Sequence, residues 1–226
     1  MERVLDCIYN DVCQQEDCSK NCIRYLEVSY LLEHSNLPKA QQQRHKLYPE
    51  ECDLEAFKQL AGIQKDIENF VNGNNSLYLY SAGCGNGKTT WAVKLLLQYF
   101  NEIWSGNGFR RRGLFINVPT FLSKCKEVMN RSDKEFEEMR SAIPKTDFVI
   151  FDDMVVYRMS AYDYTTLLNY ADQRIFNART TMYTGNVPLE NLHEFIGDRL
   201  ASRICSGITI ELKGLDQRYG STSDNQ

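Results

Sequence analysis

The chain has 226 residues, 42% of them hydrophobic, and its 26 Lys plus Arg against 30 Asp plus Glu give a formal net charge of −4. This composition excludes a chain that is disordered throughout, and neither half is basic enough for a generic nucleic-acid binder. No apolar run approaches the roughly 20 residues of a membrane-spanning helix, and the acidic start MERVLDCIYN is not a secretory signal, so we expect a soluble, cytoplasmic protein with no membrane partner.

The first 22 residues form a cysteine-rich head. They contain Cys7, Cys13, Cys18 and Cys22, four of the eight cysteines in the chain. In a reducing compartment such crowding favours a metal site over disulfides, and four thiolates suffice for a closed tetrahedral zinc site. The spacing is not the common C-x2-C knuckle, although Cys18 and Cys22 would share a face on a helix. Buried free cysteines are the alternative, and an iron–sulfur cluster is a more distant one.

A change in composition at residues 35–53 predicts a linker, because two prolines and three consecutive glutamines interrupt the apolar periodicity. We therefore divide the chain into a head with its linker, residues 1–48, and a main domain, residues 49–226. Apolar residues at helical spacing predict a helix over 54–71, which the NGNN at 72–75 ends.

The main domain then alternates between strands and helices. Strands are predicted at 77–80, 113–118, 147–151, 180–184 and 207–212, and helices at 88–104, from Pro119 onward, at 133–142 and at 161–177. Ser160 and Asp163 have the spacing of a capping box for the last of these helices. Such alternation predicts an α/β fold with a parallel sheet that helices cover on both faces.

A glycine-rich segment, SAGCGNGKTT at 81–90, follows the first predicted strand and leads into a helix. Its Gly87-Lys88-Thr89 end is typical of a P-loop, in which backbone N–H groups and a helix N-terminus surround phosphates. Lys88 would reach the β- and γ-phosphates, and the Thr89 hydroxyl would hold Mg²⁺. Ala82 replaces the usual first glycine, and the alternative is a glycine-rich turn that binds nothing. The residues expected around the nucleotide are Gly83, Cys84, Gly85, Asn86, Gly87, Lys88, Thr89 and Thr90.

Two acids end the apolar strand FVIF at 148–151, which is the Walker B arrangement. Asp152 would hold Mg²⁺ through water, and Asp153 could orient or deprotonate the attacking water. Acids often end strands, but these lie some sixty residues after a P-loop. Together the two motifs predict a domain that binds ATP and Mg²⁺.

Several further segments resemble the AAA+ ATPases of the DnaC-type replicative helicase loaders, with the IstB-type transposition ATPases as relatives. They are SNLP at 35–38, ADQRIFNARTTMYTGN at 171–186, GDRLASRI at 197–204 and KGLDQR at 213–218. The resemblance covers about residues 50–220. It implies a five-stranded parallel P-loop sheet, with the sensor strand between the P-loop and Walker B strands, and little or no C-terminal lid. The small size and the cysteine-rich head fit a phage or prophage version.

The resemblance also implies roles for individual residues. Asn186 takes the sensor 1 position beside the γ-phosphate, and Arg199 is the candidate arginine finger, which acts on the nucleotide of a neighbouring subunit. The alternative for Arg199 and the nearby Arg203 is ion pairing with Asp198 or Glu194. Arg218, in the terminal motif, could approach the nucleotide. The resemblance also includes Arg174, but we assign no role to this residue.

Arg110, Arg111 and Arg112 form the one dense basic run and precede the second predicted strand. They lie at the end of the sheet opposite the nucleotide, so we expect a solvated loop, with a phosphate-backbone contact as the alternative. Phe109 beside them could stack on a base.

The function that we expect is that of an ATP-hydrolysing helicase loader. It would self-associate, bind a hexameric replicative helicase and help to place it on single-stranded DNA. Turnover would be slow, because the site is completed only between subunits. The alternatives are a transposition-targeting ATPase that assembles on duplex DNA and a nucleotide-gated adaptor with negligible hydrolysis. The acidic head, which suits a protein partner better than DNA, favours the loader.

Overall fold

The computed structural model describes residues 7–9, 13, 18–83, 85–105, 108–128, 133–154 and 159–214. Its strands form one five-stranded sheet in the order β2-β3-β4-β1-β5, in which every pairing is parallel. Strand β4 lies between β1 and β3, as the resemblance implies. The strands are Ser76–Tyr80 (β1), Gly113–Asn117 (β2), Phe148–Asp152 (β3), Thr180–Gly185 (β4) and Ile208–Glu211 (β5).

Helices cover both faces of this sheet. On one face α1 (Ile23–Glu33), α2 (Leu54–Lys65), α3 (Ile67–Asn72) and α4 (Lys88–Ile103) share a core with Leu77 and Leu79 of β1. The other face, which includes Tyr78, is covered by α5 (Val118–Glu127), α6 (Lys134–Ala142), α7 (Ala161–Phe176), α8 (Leu192–Ile196) and α9 (Asp198–Ile204). The alternation of Leu77, Tyr78 and Leu79 between two cores follows from the two-residue period of a strand. The predicted α/β fold is therefore confirmed.

Two details of the predicted helices are settled by side chains. Ser160 and Asp163 form the predicted capping box at the start of α7. The single helix predicted over 54–71 is wrong, because Asp66 leaves the helical conformation and separates α2 from α3. The Asp66 carboxylate accepts a hydrogen bond of 2.7 Å from Asn69, so the new helix begins with a local side-chain contact.

The linker that we predicted at 35–53 packs against the domain rather than running free. Ser35 is fully buried, and its carbonyl accepts a hydrogen bond of 2.7 Å from the backbone N–H of Phe115 in the edge strand β2. The Asn36 side chain donates to the carbonyl of Phe115 at 2.9 Å. These bonds pair part of the exposed strand edge, which satisfies backbone groups there. The division of the chain at residue 48 stays a prediction.

Arg174, which the sequence left without a role, is a fully buried cation of α7. Its guanidinium donates to the carbonyls of Ile143, Thr146 and Thr180 and, at 2.8 Å, to the Thr181 hydroxyl. Burial lowers the pKa of this guanidinium. The five N–H donors of an arginine suit such a set of acceptors, so Arg174 joins α7 to the amino ends of β3 and β4.

Among the described residues, no helix combines the length and the apolar character that a bilayer crossing requires.

Candidate active site

The P-loop connects β1 to α4 at the carboxyl edge of the sheet. Gly85 and Gly87 have φ angles of 77° and 89°, which favour glycine because a Cβ atom would strain the backbone there. Helix α4 begins at Lys88, directly after this turn. The loop can therefore direct backbone N–H groups and a helix N-terminus toward a phosphate. Cys84, predicted to contact the nucleotide, lies outside the described residues.

Side chains of the loop fix its shape. The ammonium group of Lys88 donates to the Gly83 carbonyl at 2.8 Å and to the Asn86 side-chain oxygen at 3.0 Å. Asn86 is buried, and its amide donates to the Ser81 hydroxyl at 2.7 Å and to the Gly214 carbonyl at 2.8 Å. Asn86 therefore braces the loop from within and joins it to the segment after β5.

Asp152 is the centre of the candidate site. Its side chain is only 3% exposed and accepts hydrogen bonds from Thr89 at 3.0 and 3.2 Å and from Thr184 at 2.7 Å. Burial raises the pKa of this carboxyl to about 6, against the lowering effect of the Thr184 bond. Carboxylate and hydroxyl oxygens are the ligands that Mg²⁺ prefers, and a cation would restore the ionised form. Thr89 and Asp152 therefore fit a Mg²⁺ ion.

Thr184 is a site residue that sequence reasoning missed. It lies in β4, and its hydroxyl both donates to Asp152 and accepts the backbone N–H of Asp153 at 3.0 Å. We selected Asn186 from the same Thr-Gly-Asn segment. The structure places Asn186 in the bend after β4, with a buried side-chain oxygen that has no hydrogen-bond partner among the described residues. The signal that could have found Thr184 is its place in the same Thr-Gly-Asn segment, as the last polar side chain inside β4, at the carboxyl end of the strand.

The backbone of Asp153 has a φ angle of 58°, which is unusual for a residue other than glycine. Such a conformation costs free energy and is often found at functional sites. The Asn117 amide at the end of β2 lies 3.5 Å from the Asp153 carboxylate. The neighbouring carboxyl ends of three parallel strands thus bring Asn117, Asp153 and Thr184 together.

The candidate arginine finger is held by an acid of its own chain. Arg199 donates to the Asp172 carboxylate of α7 at 3.0 Å, and Arg203 donates to the other oxygen at 2.8 Å. Arg203, followed by Arg199, lowers the pKa of Asp172. The alternative partners, Asp198 and Glu194, are therefore wrong. The acid that pairs with Arg199 is Asp172, which lies 27 residues earlier in the chain. The Arg199 side chain remains 62% exposed.

The terminal segment reaches the P-loop through Gly214. The buried Asp53 carboxylate accepts the backbone N–H groups of Lys213 at 2.6 Å and of Gly214 at 3.0 Å. A Cβ atom on Gly214 would lie 2.6 Å from that carboxylate, so the close approach requires glycine. Arg218, predicted to approach the nucleotide, lies outside the described residues.

The cysteines of the head do not lie on one helix. Cys22 precedes α1 as its N-cap and Cys18 lies in no helix, so the two do not share a helical face. Cys7 and Cys13 pack against the core that contains α1 and α4. Burial raises the pKa of the Cys7 thiol, and the other three thiols contribute in the same direction. Within the described residues, no group of three or more His, Cys, Asp or Glu side chains is arranged to hold a metal ion.

The basic run is partly used by the fold. Arg112 pairs with Asp147, and Arg111 donates to the His34 carbonyl at 2.9 Å. Phe109 is exposed but makes an edge contact with Tyr30, whose ring centroid is 5.2 Å away. Two of the three arginines therefore join β2 to its surroundings.

Comparisons with known proteins agree with this arrangement. No family model matches the chain. Replicative helicase loader DnaC of Escherichia coli (strain K12) is 23% identical over 160 residues, which cover 71% of this chain and 62% of DnaC. The crystal structure of the DnaC helicase loader has a TM-score of 0.62 at 18% identity and covers 74% of this chain and 94% of that one. AMPPCP-bound DnaA from Aquifex aeolicus has a TM-score of 0.56 at 19% identity, with 74% of this chain and 48% of DnaA covered.

The resemblance to the DnaC-type loaders and the AAA+ type of fold are thereby confirmed. The chain spans about 62% of the length of the curated relative that it matches.

The buried carboxyl of Asp152 predicts a gain of stability on its replacement. Because its pKa is higher in the folded chain than the ordinary value, its contribution to stability is complete below about pH 4 and is lost as the pH rises through about 6. At about pH 7.5, Asp152→Asn should therefore raise the free energy of unfolding by about 1–3 kcal/mol without Mg²⁺, and the gain should vanish at acid pH. Urea unfolding at several pH values measures it.

Asp172→Asn is the matched control with the opposite sign, because Arg203 and Arg199 lower the pKa of Asp172. It should destabilise the chain at neutral pH and not in acid. Destabilisation of Asp152→Asn at neutral pH would contradict the interpretation of its burial.

Proposed function

We propose that this chain is an ATP-hydrolysing loader that binds a hexameric replicative helicase and helps to place it on single-stranded DNA. The observation that carries the proposal is the contact of Asp152 with Thr89 and Thr184, in a chain similar to DnaC. This contact brings a P-loop hydroxyl, a Walker B carboxylate and the sensor strand to one point. Such a loader would act on DNA in the cytoplasm.

ATP would lie on the P-loop, with its phosphates against the backbone of Gly83, Gly85 and Gly87. Lys88 would exchange its two loop acceptors for phosphate oxygens, and Thr90 would lie beside the phosphates at the first turn of α4. Thr89 and Asp152 would hold Mg²⁺, which neutralises charge that develops on the phosphates during transfer. Cys84 and Arg218 remain candidates for further contacts.

For hydrolysis, we assign the positioning of the attacking water to Asp153, with Asn186 beside the γ-phosphate. The unpartnered side-chain oxygen of Asn186 supports this assignment, because the attacking water molecule could donate a hydrogen bond to it. The hydrogen bond from the backbone N–H of Asp153 to the Thr184 hydroxyl would hold Asp153 close to the carboxylate of Asp152, the proposed Mg²⁺ ligand.

Arg199 would complete the site of a neighbouring subunit, so the proposal includes self-association. The exposure of Arg199 supports such a role, because its guanidinium can leave Asp172 without crossing the core. Asp172 is already shared with Arg203, which would keep the acid paired after Arg199 has moved. An exposed ion pair contributes little stability, so its loss would cost little.

We also propose zinc as a structural ion of the head. The support is the sequence, which has four thiols within 16 residues of the head. In the described residues they do not surround one point, so binding would have to draw them together. On binding zinc, the four thiols would release their protons to solvent, and the charge of the ion would offset the repulsion among the four thiolates.

The loader proposal predicts an ATP-dependent complex with the host's hexameric helicase. Light scattering after gel filtration should detect it with ATP, and it should be lost without ATP or with Lys88→Ala. Lys145→Ala, which changes an exposed lysine away from the P-loop, should leave it intact. Absence of a complex in every condition would contradict the proposal. ATP-dependent assembly on duplex DNA would then favour a transposition-targeting ATPase.

The proposed finger predicts complementation between two inactive variants. Arg199→Ala should reduce ATP turnover by about 10³-fold or more, since a finger contributes at least that much. Lys88→Ala should be inactive as well, but a mixture of the two should regain turnover because one variant supplies the finger and the other the nucleotide site. Arg203→Ala is the control and should stay within a few-fold of the unmodified chain.

Full ATP turnover by Arg199→Ala would contradict the proposed arginine finger and would leave Arg199 only its ion pair with Asp172. The unmodified chain with helicase and DNA could also show only background ATP turnover, equal to that of Asp153→Asn. That result would contradict the ATPase activity and favour a nucleotide-gated adaptor.

The zinc proposal predicts about one equivalent of zinc in protein purified without chelators. Cys18→Ser should lower this content, whereas Cys52→Ser, which changes an exposed cysteine outside the head, should not. Less than about half an equivalent, with four thiols of the head titrating freely, would count against zinc.

A further inference from the structure

A cavity of about 520 Å³ lies beside the P-loop helix, away from the phosphate loop. Helix α1 and Tyr9 of the head, the linker at 44–48, Gln64 of α2 and the outer face of α4 enclose it. Its size is within the range of small-molecule and cofactor sites. Nothing in the proposed ATP cycle uses this cavity.

The wall of this cavity is strongly basic. Arg24, Arg44, Lys46 and Lys94 line it together with His45, and none of its described lining residues is acidic. They belong to three separate parts of the chain, so the fold itself brings them together. Burial lowers the pKa of Lys94, and the nearby Arg44 lowers it further. An anionic ligand would be attracted to such a concentration of positive charge.

Aromatic rings and amides hold the cations of the wall in place. The Arg24 guanidinium lies 4.4 Å from the ring centroid of Tyr9, and the Lys94 ammonium lies 4.6 Å from that of Trp91. Arg24 also donates to the Asn101 side chain, but its buried Nε has no acceptor among the described residues. The contacts with Tyr9, Asn101 and Trp91 therefore hold two of the cations in position for an anion.

The cavity is distinct from the phosphate loop. With a rise of about 1.5 Å per residue in α4, Lys94 lies about 9 Å and Asn101 about 20 Å beyond Lys88. The two regions still communicate, because the Leu47 side chain in the cavity wall lies 3.4 Å from the Cβ position of Gly87. A ligand that moves the linker would therefore also change the contact between Leu47 and the P-loop.

We propose that this cavity binds a phosphate-bearing ligand at a site separate from the ATP site. The linker and α4 would supply the cations, Gln98 and Asn101 further polar contacts, and Tyr48 a ring at the rim that is 72% exposed. Cations beside an exposed aromatic ring suit a nucleotide unit, either within a single strand or as a free nucleotide. The proposal goes beyond the loader function, because Lys88 and Asp152 take no part in it.

The test uses the full chain and the triple variant Arg44→Gln, Lys46→Gln, Lys94→Gln. Fluorescence anisotropy measures binding of a labelled single-stranded oligothymidine at several salt concentrations, with saturating ADP to occupy the P-loop. The matched control is Lys58→Gln, Lys134→Gln, Lys145→Gln, which removes the same charge from exposed positions outside the cavity. Thermal unfolding and ATP binding at the P-loop verify that both variants are folded.

We expect the triple variant to bind the oligonucleotide at least about tenfold more weakly and to reduce the salt slope by about 2, since each phosphate contact in a single strand contributes about 0.7. The control variant should keep most of the affinity for the oligonucleotide and most of the salt slope. If the oligonucleotide does not bind, retention of a fluorescent nucleotide by Lys88→Ala, and its loss when the triple change is added, would identify a free nucleotide as the ligand.

Equal losses in the triple and control variants, or no binding of either probe, would overturn the proposal. So would displacement of the oligonucleotide by a polyglutamate peptide at the same concentration as by an unlabelled strand, because the cavity would then accept acidic peptides. Helicase binding and ATP turnover are separate measurements, so this proposal and the loader function can fail independently.

Discussion

The arrangement of the candidate site depends on one buried carboxylate. Asp152 ends β3, an interior strand of the sheet, and its carboxylate accepts hydrogen bonds from the hydroxyls of Thr89 in α4 and Thr184 in β4. A parallel sheet places the carboxyl ends of β1, β3 and β4 at one edge, which brings the P-loop, this acid and Thr184 together. The strand order β3-β4-β1 places β4 between the Walker B and P-loop strands, which is where Thr184 must lie to reach Asp152.

This arrangement is costly for the protein without its ligands. Burial opposes the ionised form of Asp152, and the Asp153 backbone adopts a left-handed conformation. Binding of a cation would relieve the first cost, which couples the stability of the site to its ligand. The amino edge of the sheet is more fully satisfied. There the Arg174 guanidinium donates hydrogen bonds to carbonyls and to a hydroxyl, which joins α7 to β4 and to the residues before β3.

The head and linker belong to this organisation. The linker pairs with β2, its Asp53 holds the segment after β5, and that segment accepts a hydrogen bond from Asn86 of the P-loop. One continuous set of contacts thus runs from the N-terminal part of the chain to the phosphate loop. A partner or ligand bound to the head could therefore change nucleotide binding through packed, hydrogen-bonded groups, which is the physical basis that such coupling needs.

The sequence by itself determined the features that depend on neighbours in the chain. Strands and helices followed from apolar periodicity, the P-loop from glycines before Gly87-Lys88-Thr89, and the α7 start from Ser160 and Asp163, because each signal is local. Resemblance to a family added the strand order. The sequence did not indicate that Thr184 binds Asp152, that Arg199 pairs with Asp172, or that Arg174 is a buried brace. Those contacts join residues about 7 to 32 positions apart in sequence whose distance only the packed chain defines. The basic cavity is the extreme case, since its cations come from a helix, a linker and the P-loop helix, and tertiary structure alone makes them neighbours.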